Sequence, residues 1–169
     1  MVLVTTTPER ETQMETLTEI ATEAELFVHD FLGAFTNEQD SLYMSNAHLL
    51  IVRNDNEGVT VEPVASNADV YELIHEVIAE TPFSVRSSDI LAVVTSGWAA
   101  PLNAFGEVDG RPSEHAQRRR VRLMACVRRS DLTMTSVLRF GDSDEVVIDE
   151  GSATGTLAEA LIALGEAGK

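Results

Sequence analysis

Ile90, Leu91, Ala92, Val93 and Val94 form an unbroken apolar run rich in β-branched side chains. Such a run, with no polar residue at alternate positions, reads as a strand covered on both faces and so as a central one. It predicts a strand over 89–98 that ends at Thr95, Ser96, Gly97 and Trp98. Gly97 permits a bulge or a close backbone approach. Trp98 is the only tryptophan; it suits either a core anchor whose indole N–H finds a partner or a surface on which a ligand stacks.

The segment that follows, 99–117, is a long polar loop. Pro101, Asn103, Gly106, Asp109, Gly110 and Pro112 are turn residues. Loops of this length in a compact domain usually carry function or lack order. The loop closes on Arg111, Glu114 and His115, and a second strand is predicted over 118–129. A period of two sets Val121, Leu123, Ala125 and Val127 on one face, read as the core, and Arg120, Arg122, Met124, Cys126 and Arg128 on the other. A third strand is predicted over 132–140.

Charge is strongly segregated around this block. Between Arg111 and Arg129 stand seven arginines and one acid, Glu114, a local charge of +6; the remaining 5 basic and 27 acidic residues give −22, and the whole chain carries −16. The arginines therefore pair with the chain's own carboxylates, meet the acidic surface of another copy or another protein, or hold a phosphate-bearing ligand. Direct nucleic-acid binding is disfavoured, because the whole-chain charge repels a polyanion beyond a Debye length of roughly 8 Å.

The rest of the chain supplies the other elements. Residues 1–6 are an edge strand or a frayed tail. Thr7 and Pro8 open a helix that carries Leu17, Ile20, Ala21, Ala24, Phe27, Val28 and Phe31 as one apolar stripe. Glu11, Glu15, Glu19, Glu23 and Glu25 form its solvated face or, in the alternative, the acidic partner of the arginine strand. His29 and Asp30 read as polar surface. Residues 42–53 read as a strand, 54–58 as a hairpin turn, and Val59, Val61 and Val64 as a returning strand stopped by Pro63. His48, inside the first of these, reads as a structural residue. A second helix opens at 66–69 and ends at Thr81 and Pro82. Its Glu72, His75, Glu76 and Glu80 are the nearest approach to a metal or acid/base cluster, yet the His-Glu-x-x-His pattern is absent. Val146, Val147 and Ile148 make a last strand. Thr156 is read as the N-cap of a final helix, with Glu159 completing a capping box.

These elements predict one α+β domain over 1–169: a mainly antiparallel sheet of five to six strands with three helices packed on it, in the order α-β-β-α-β-β-β-(β)-α. That element order is similar to small roadblock-type and profilin-like dimerisation modules. The lone Cys126 excludes an internal disulfide, and no secretory leader or apolar span is evident, so a cytoplasmic protein without membrane contact is expected.

No pairing of nucleophile with base appears, and no cofactor motif. The expected function is a non-enzymatic binding or regulatory protein that self-associates or binds another protein. Its contact surface would be the arginine strand and the adjacent loop: Trp98, Arg111, Glu114, His115, Arg118, Arg120, Arg122 and Arg128. The alternatives are an enzyme or sensor for a phosphorylated metabolite, with His115 or Glu114 as acid/base groups, and an acidic mimic of nucleic acid.

Overall fold

In a computed structural model of the chain, residues 16–33, 42–141, 143, 145–150 and 155–169 are described. They form a six-stranded antiparallel sheet with helices on both faces, an α+β fold. In chain order the elements are α1 (Leu17–Gly33), β1 (Ala47–Asp55), β2 (Gly58–Asn67), α2 (Val70–Glu80), the one-turn α3 (Phe83–Arg86), β3 (Ile90–Ala99), β4 (Arg119–Arg128), β5 (Met134–Phe140), β6 (Val146–Glu150) and α4 (Thr156–Glu166). The spatial order is β2-β1-β3-β4-β5-β6, so β3 and β4 are central and β2 and β6 are the edges. The helix start read at Thr7 and Pro8 and the segment 1–6 lie outside the described residues.

Period two sorts the strands onto two cores. Leu50, Val52, Ile90, Ala92, Val94, Met124, Cys126 and Val137 meet α1 through Leu17, Ile20, Ala21, Ala24 and Val28. Leu49, Ile51, Leu91, Val93, Ala125 and Val127 meet α2 through Leu73, Ile74 and Val77, and α4 through Leu161 and Leu164. The run 90–94 is thus covered on both sides, as its composition demands. The same holds for β4, and here the one-sided reading is corrected. The face bearing Met124 and Cys126 is as much core as the face bearing Ala125 and Val127. Alternating polarity had marked the wrong boundary because a helix with its own buried carboxylate covers the arginine side.

Local chemistry explains the element ends. Asp69 caps α2 by accepting from the backbone N–H of Tyr71 and Glu72 at 2.8 and 3.0 Å. Thr81 ends that helix in the left-handed region at φ 39°, and Pro82 then starts α3. Pro63 does not stop β2, which runs on to Asn67. It sits on an edge strand beside a bulge opposite Leu49 and Leu50, the setting in which a sheet tolerates proline. Gly155, at φ 101°, is the N-cap of α4, and Thr156 is its first helical residue, so the expected capping box is not the one formed. Glu72, His75, Glu76 and Glu80 are exposed on α2. Among the described residues no helix is long and apolar enough to cross a membrane.

Arg129 ties the helices of the second face together. Its buried guanidinium donates to the carbonyls of Val85 and Arg86 in α3, of Ser88 just after it, and of Gly165 and Ala167 at the end of α4. A planar fork with five N–H donors suits the unsatisfied carbonyls of two converging helix ends.

Candidate functional site

The end of β3, the start of β4 and the loop between them form one end of the sheet. Register places Trp98 opposite Arg120 on the face that carries α1. The Arg120 guanidinium lies 4.0 Å from the centre of the Trp98 ring and 5.4 Å from that of Tyr43. Arg118, exposed at the loop's exit, stacks on the same indole at 4.9 Å. Each such contact contributes about 0.5–1 kcal/mol where it is solvent-exposed. On the next residue Arg119 covers Phe140 at 4.0 Å and pairs with Glu145 at 3.1 Å. Tyr43 is fixed nearby because Ser96 both accepts from the Met44 N–H at 2.9 Å and donates to the Met44 carbonyl at 3.2 Å.

The loop is held by one residue. The Asn103 side-chain oxygen accepts from the N–H groups of Phe105 and Glu107, at 2.9 and 3.0 Å, while its amide donates to Asp109 at 2.9 Å. Its backbone N–H donates to the Glu107 carbonyl at 2.7 Å, and its carbonyl accepts from Gly106 at 3.0 Å. Gly106, at φ 78°, supplies the left-handed residue this tight closure needs. The result is an ordered tip that turns Leu102 and Phe105 outward, 65 % and 89 % exposed. Further on, Pro112–Glu114 form a 3-10 turn lying against β3. Arg111 and Glu114 face each other across it at 3.9 Å, both exposed, and His115 Nδ1 accepts from the Gln117 N–H at 3.0 Å. The nitrogen that a general base would use is therefore engaged by the loop's own backbone, while Glu114 sits in open solvent.

The structure brings Trp98, Arg118 and Arg120 together and leaves Arg111, Glu114 and His115 along the same loop. It separates the other two arginines from them. Arg128 lies at the far end of β4, across from Ile90, and is 3.9 Å from Asp131. Arg122 is not a surface group at all: its side chain is 0 % exposed beneath α1. It donates through Nη2 to Glu25 Oε1 at 2.7 Å. Arg139, directly opposite Arg122 on β5, grips the same carboxylate twice, through Nε at 2.8 Å and Nη2 at 2.7 Å. Two guanidinium groups at facing positions repel; the α1 carboxylate between them makes the arrangement tenable. Of the five acids assigned to α1's solvated face, Glu11 and Glu15 lie outside the described residues; among Glu19, Glu23 and Glu25, Glu25 is 2 % exposed and is the one that partners the arginine strand.

Sequence reasoning missed Arg139, Tyr43, Leu102 and Phe105. Arg139 had a signal: it alternates with Thr135 and Val137 on one face of β5, which points a charge at a core. Tyr43 and Phe105 had none, because exposure of an aromatic in a loop follows from tertiary placement.

Electrostatics inside the α1 layer follow from this triad. Burial alone would raise the Glu25 carboxyl, but hydrogen bonds and charges from Arg139 and Arg122 outweigh it and hold the group below the usual carboxylate range. His29, one helical turn on, is pushed below its ordinary value by burial and then by the positive charges of Arg139 and Arg122. Burial drives the Cys126 thiol up to about 12, so it is not a nucleophile at neutral pH. Among the described residues no group of three or more His, Cys, Asp or Glu side chains is placed to hold a metal ion. No protein-family model, curated protein or solved structure matches the chain.

Proposed function

We propose that this protein is a non-enzymatic binding or regulatory protein, which self-associates or binds another protein through the 100–118 loop and the arginine-faced Trp98. The observation that carries the reading is the loop tip: a network centred on Asn103 holds Phe105 89 % exposed, at the end of the sheet where Arg118 stacks on Trp98. Exposed apolar side chains on an ordered loop are a feature of contact surfaces, and aromatic residues and arginine dominate their energetics. The basic side chains at this end favour an acidic partner, and the chain's own surface is acidic, with a net charge of −16. Arg122, buried under α1, is not part of the surface.

Native mass spectrometry and sedimentation of the wild-type protein, Arg118→Glu and Phe105→Asp test this. The wild type is expected to carry a second copy or a bound protein. Each variant should weaken that association about 30-fold, or about 2 kcal/mol, with the melting temperature unchanged because both side chains are exposed. A wild type that is a bare monomer at all concentrations, or variants that associate like the wild type, would overturn the proposal.

A further inference from the structure

The end of the sheet opposite Trp98 carries a polar cavity of about 290 Å³. It opens where the chain enters β3 and leaves β4: Asp89 precedes Ile90, and Arg129 and Ser130 follow Arg128. Arg86 and the turn after it wall one side, and Gly168 and Lys169, past α4, the other. Arg129 joins the two walls, because its guanidinium donates to carbonyls on both. Gly168 positions Arg86. A Cβ on Gly168 would stand 2.6 Å from Arg86 Cγ, so the arginine stem lies directly against bare backbone. Beyond that clamp the Arg86 guanidinium is exposed, 5.9 Å from the centre of the Phe83 ring. Among the described residues neither Arg86 nor Lys169 meets a carboxylate, and the Ser130 hydroxyl makes no hydrogen bond.

Arg86, Arg129 and Lys169 line the cavity against one acid, Asp89, and the balance stays positive with Lys169 left out. The N–H groups of Arg129 serve carbonyls, so Arg86 and Lys169 are the cations left to bind. Asp89 is held in place: its Oδ1 accepts from the Ser130 N–H at 3.2 Å and its carbonyl from the Arg129 N–H at 2.6 Å. An ionised carboxylate repels an anion beside it but accepts from a hydroxyl. We propose that this cavity binds a small soluble phosphate monoester that also carries a hydroxyl group. Arg86, Lys169 and the Ser130 hydroxyl take the phosphate, and Asp89 takes the hydroxyl. A guanidinium fork and an ammonium both suit phosphate oxygens. At about 30 Å³ each, the volume suits roughly ten non-hydrogen atoms, about half of them in the phosphate group. What remains is a body of a few carbons. A long polyanion or an anionic bilayer is disfavoured by the whole-chain charge of −16. The site lies away from the 100–118 loop and does not rest on the contact surface proposed there.

Titration calorimetry of the full chain at physiological salt, with glycerol 3-phosphate, inorganic phosphate and glycerol, tests the proposal. Glycerol 3-phosphate is expected to bind saturably, one per chain, inorganic phosphate about tenfold more weakly, and glycerol not at all. Arg86→Gln keeps a stem against Gly168 and removes the charge; Lys169→Gln removes the second cation. Both side chains are exposed. Each change should weaken glycerol 3-phosphate about tenfold, the loss of a charge-assisted hydrogen bond. Failure of the wild type to bind the free ester overturns the proposal, including where vesicles of phosphatidic acid capture the chain instead. Undiminished binding by either folded variant overturns it too. Equal affinity of the wild type for glycerol 3-phosphate and inorganic phosphate overturns the role given to Asp89.

Discussion

Glu25 is the residue on which the α1 layer depends. Both Arg122 and Arg139 donate to its carboxylate, and its loss leaves two guanidinium groups at facing positions under a helix without the acid they share. Glu25→Ala is expected to destabilise the fold by about 3–5 kcal/mol in urea unfolding, the cost of uncompensated buried charge. Two nitrogens of Arg122, Nε and Nη1, find no acceptor among the described residues, so the triad is incompletely satisfied. Replacing all three residues together, as Glu25→Leu, Arg122→Met and Arg139→Met, should therefore leave stability within about 2 kcal/mol of the wild type. The triad also sets a pH response. The native Glu25 pKa lies below its unfolded value of 4.5, so its contribution is complete above pH 4.5 and is lost as pH falls through the native pKa. The native His29 pKa lies below 6.5, so below that pH the unfolded chain takes a proton that the native imidazole resists, and stability falls from pH 6.5 downward. Urea midpoints between pH 7.5 and 5 should decline less in His29→Gln than in the wild type, while both fall together below 4.5. Identical slopes for the two proteins across pH 6.5–5 would remove His29 from the account.

Packing between elements depends on a few close approaches. Gly165, in the last turn of α4, lies so near β4 and the following turn that a Cβ there would stand 2.9 Å from Leu132 Cδ2 and 3.1 Å from Val127 Cγ2. A glycine in a helix interior normally weakens it by about 1 kcal/mol relative to alanine; here contact with the sheet offsets that cost. Leu132 is half-buried and its Cδ2 can turn aside, whereas Val127 is fully buried and stiff at its branched Cβ, so that contact has little room to give. Gly165→Val should lower stability by about 1–3 kcal/mol through overpacking, read as a shift in urea midpoint with unchanged m-value. Gly165 is still inside the helix, which runs to Glu166, with Gly168 adopting φ 71° beyond it. The one-turn α3 went unread in the sequence, since four residues are too few for a hydrophobic period to register.

Across the whole molecule, charge segregation largely resolves into internal pairing. Arg119, Arg122, Arg128 and Arg139 meet Glu145, Glu25, Asp131 and again Glu25, and Arg129 meets backbone carbonyls. The acid excess on the remaining surface repels itself. Raising salt from 0.05 to 0.5 M should increase the melting temperature by roughly 2–4 °C, about 1 kcal/mol for a chain of this size. A flat or falling melting temperature would show that surface ion pairs, such as Arg53 with Glu62 at 2.9 Å, outweigh the repulsion.

What the sequence determined by itself was local: which stretches are strands, that 90–94 lies between two covered faces, that Asp69 and Pro82 bracket α2. Side-chain period and backbone chemistry act over a few residues and leave a mark in the order of letters. The make-up of the proposed contact surface was only half legible. Trp98, Arg118 and Arg120, named in the sequence among eight candidates, do come together at adjacent strand ends, yet Arg122, one alternation along β4, looked the same and is buried. Only the tertiary structure decided that difference. Whether an arginine faces water or a core depends on what covers the strand, and the cover here is a helix more than ninety residues earlier whose one inward carboxylate is indistinguishable in sequence from its exposed neighbours.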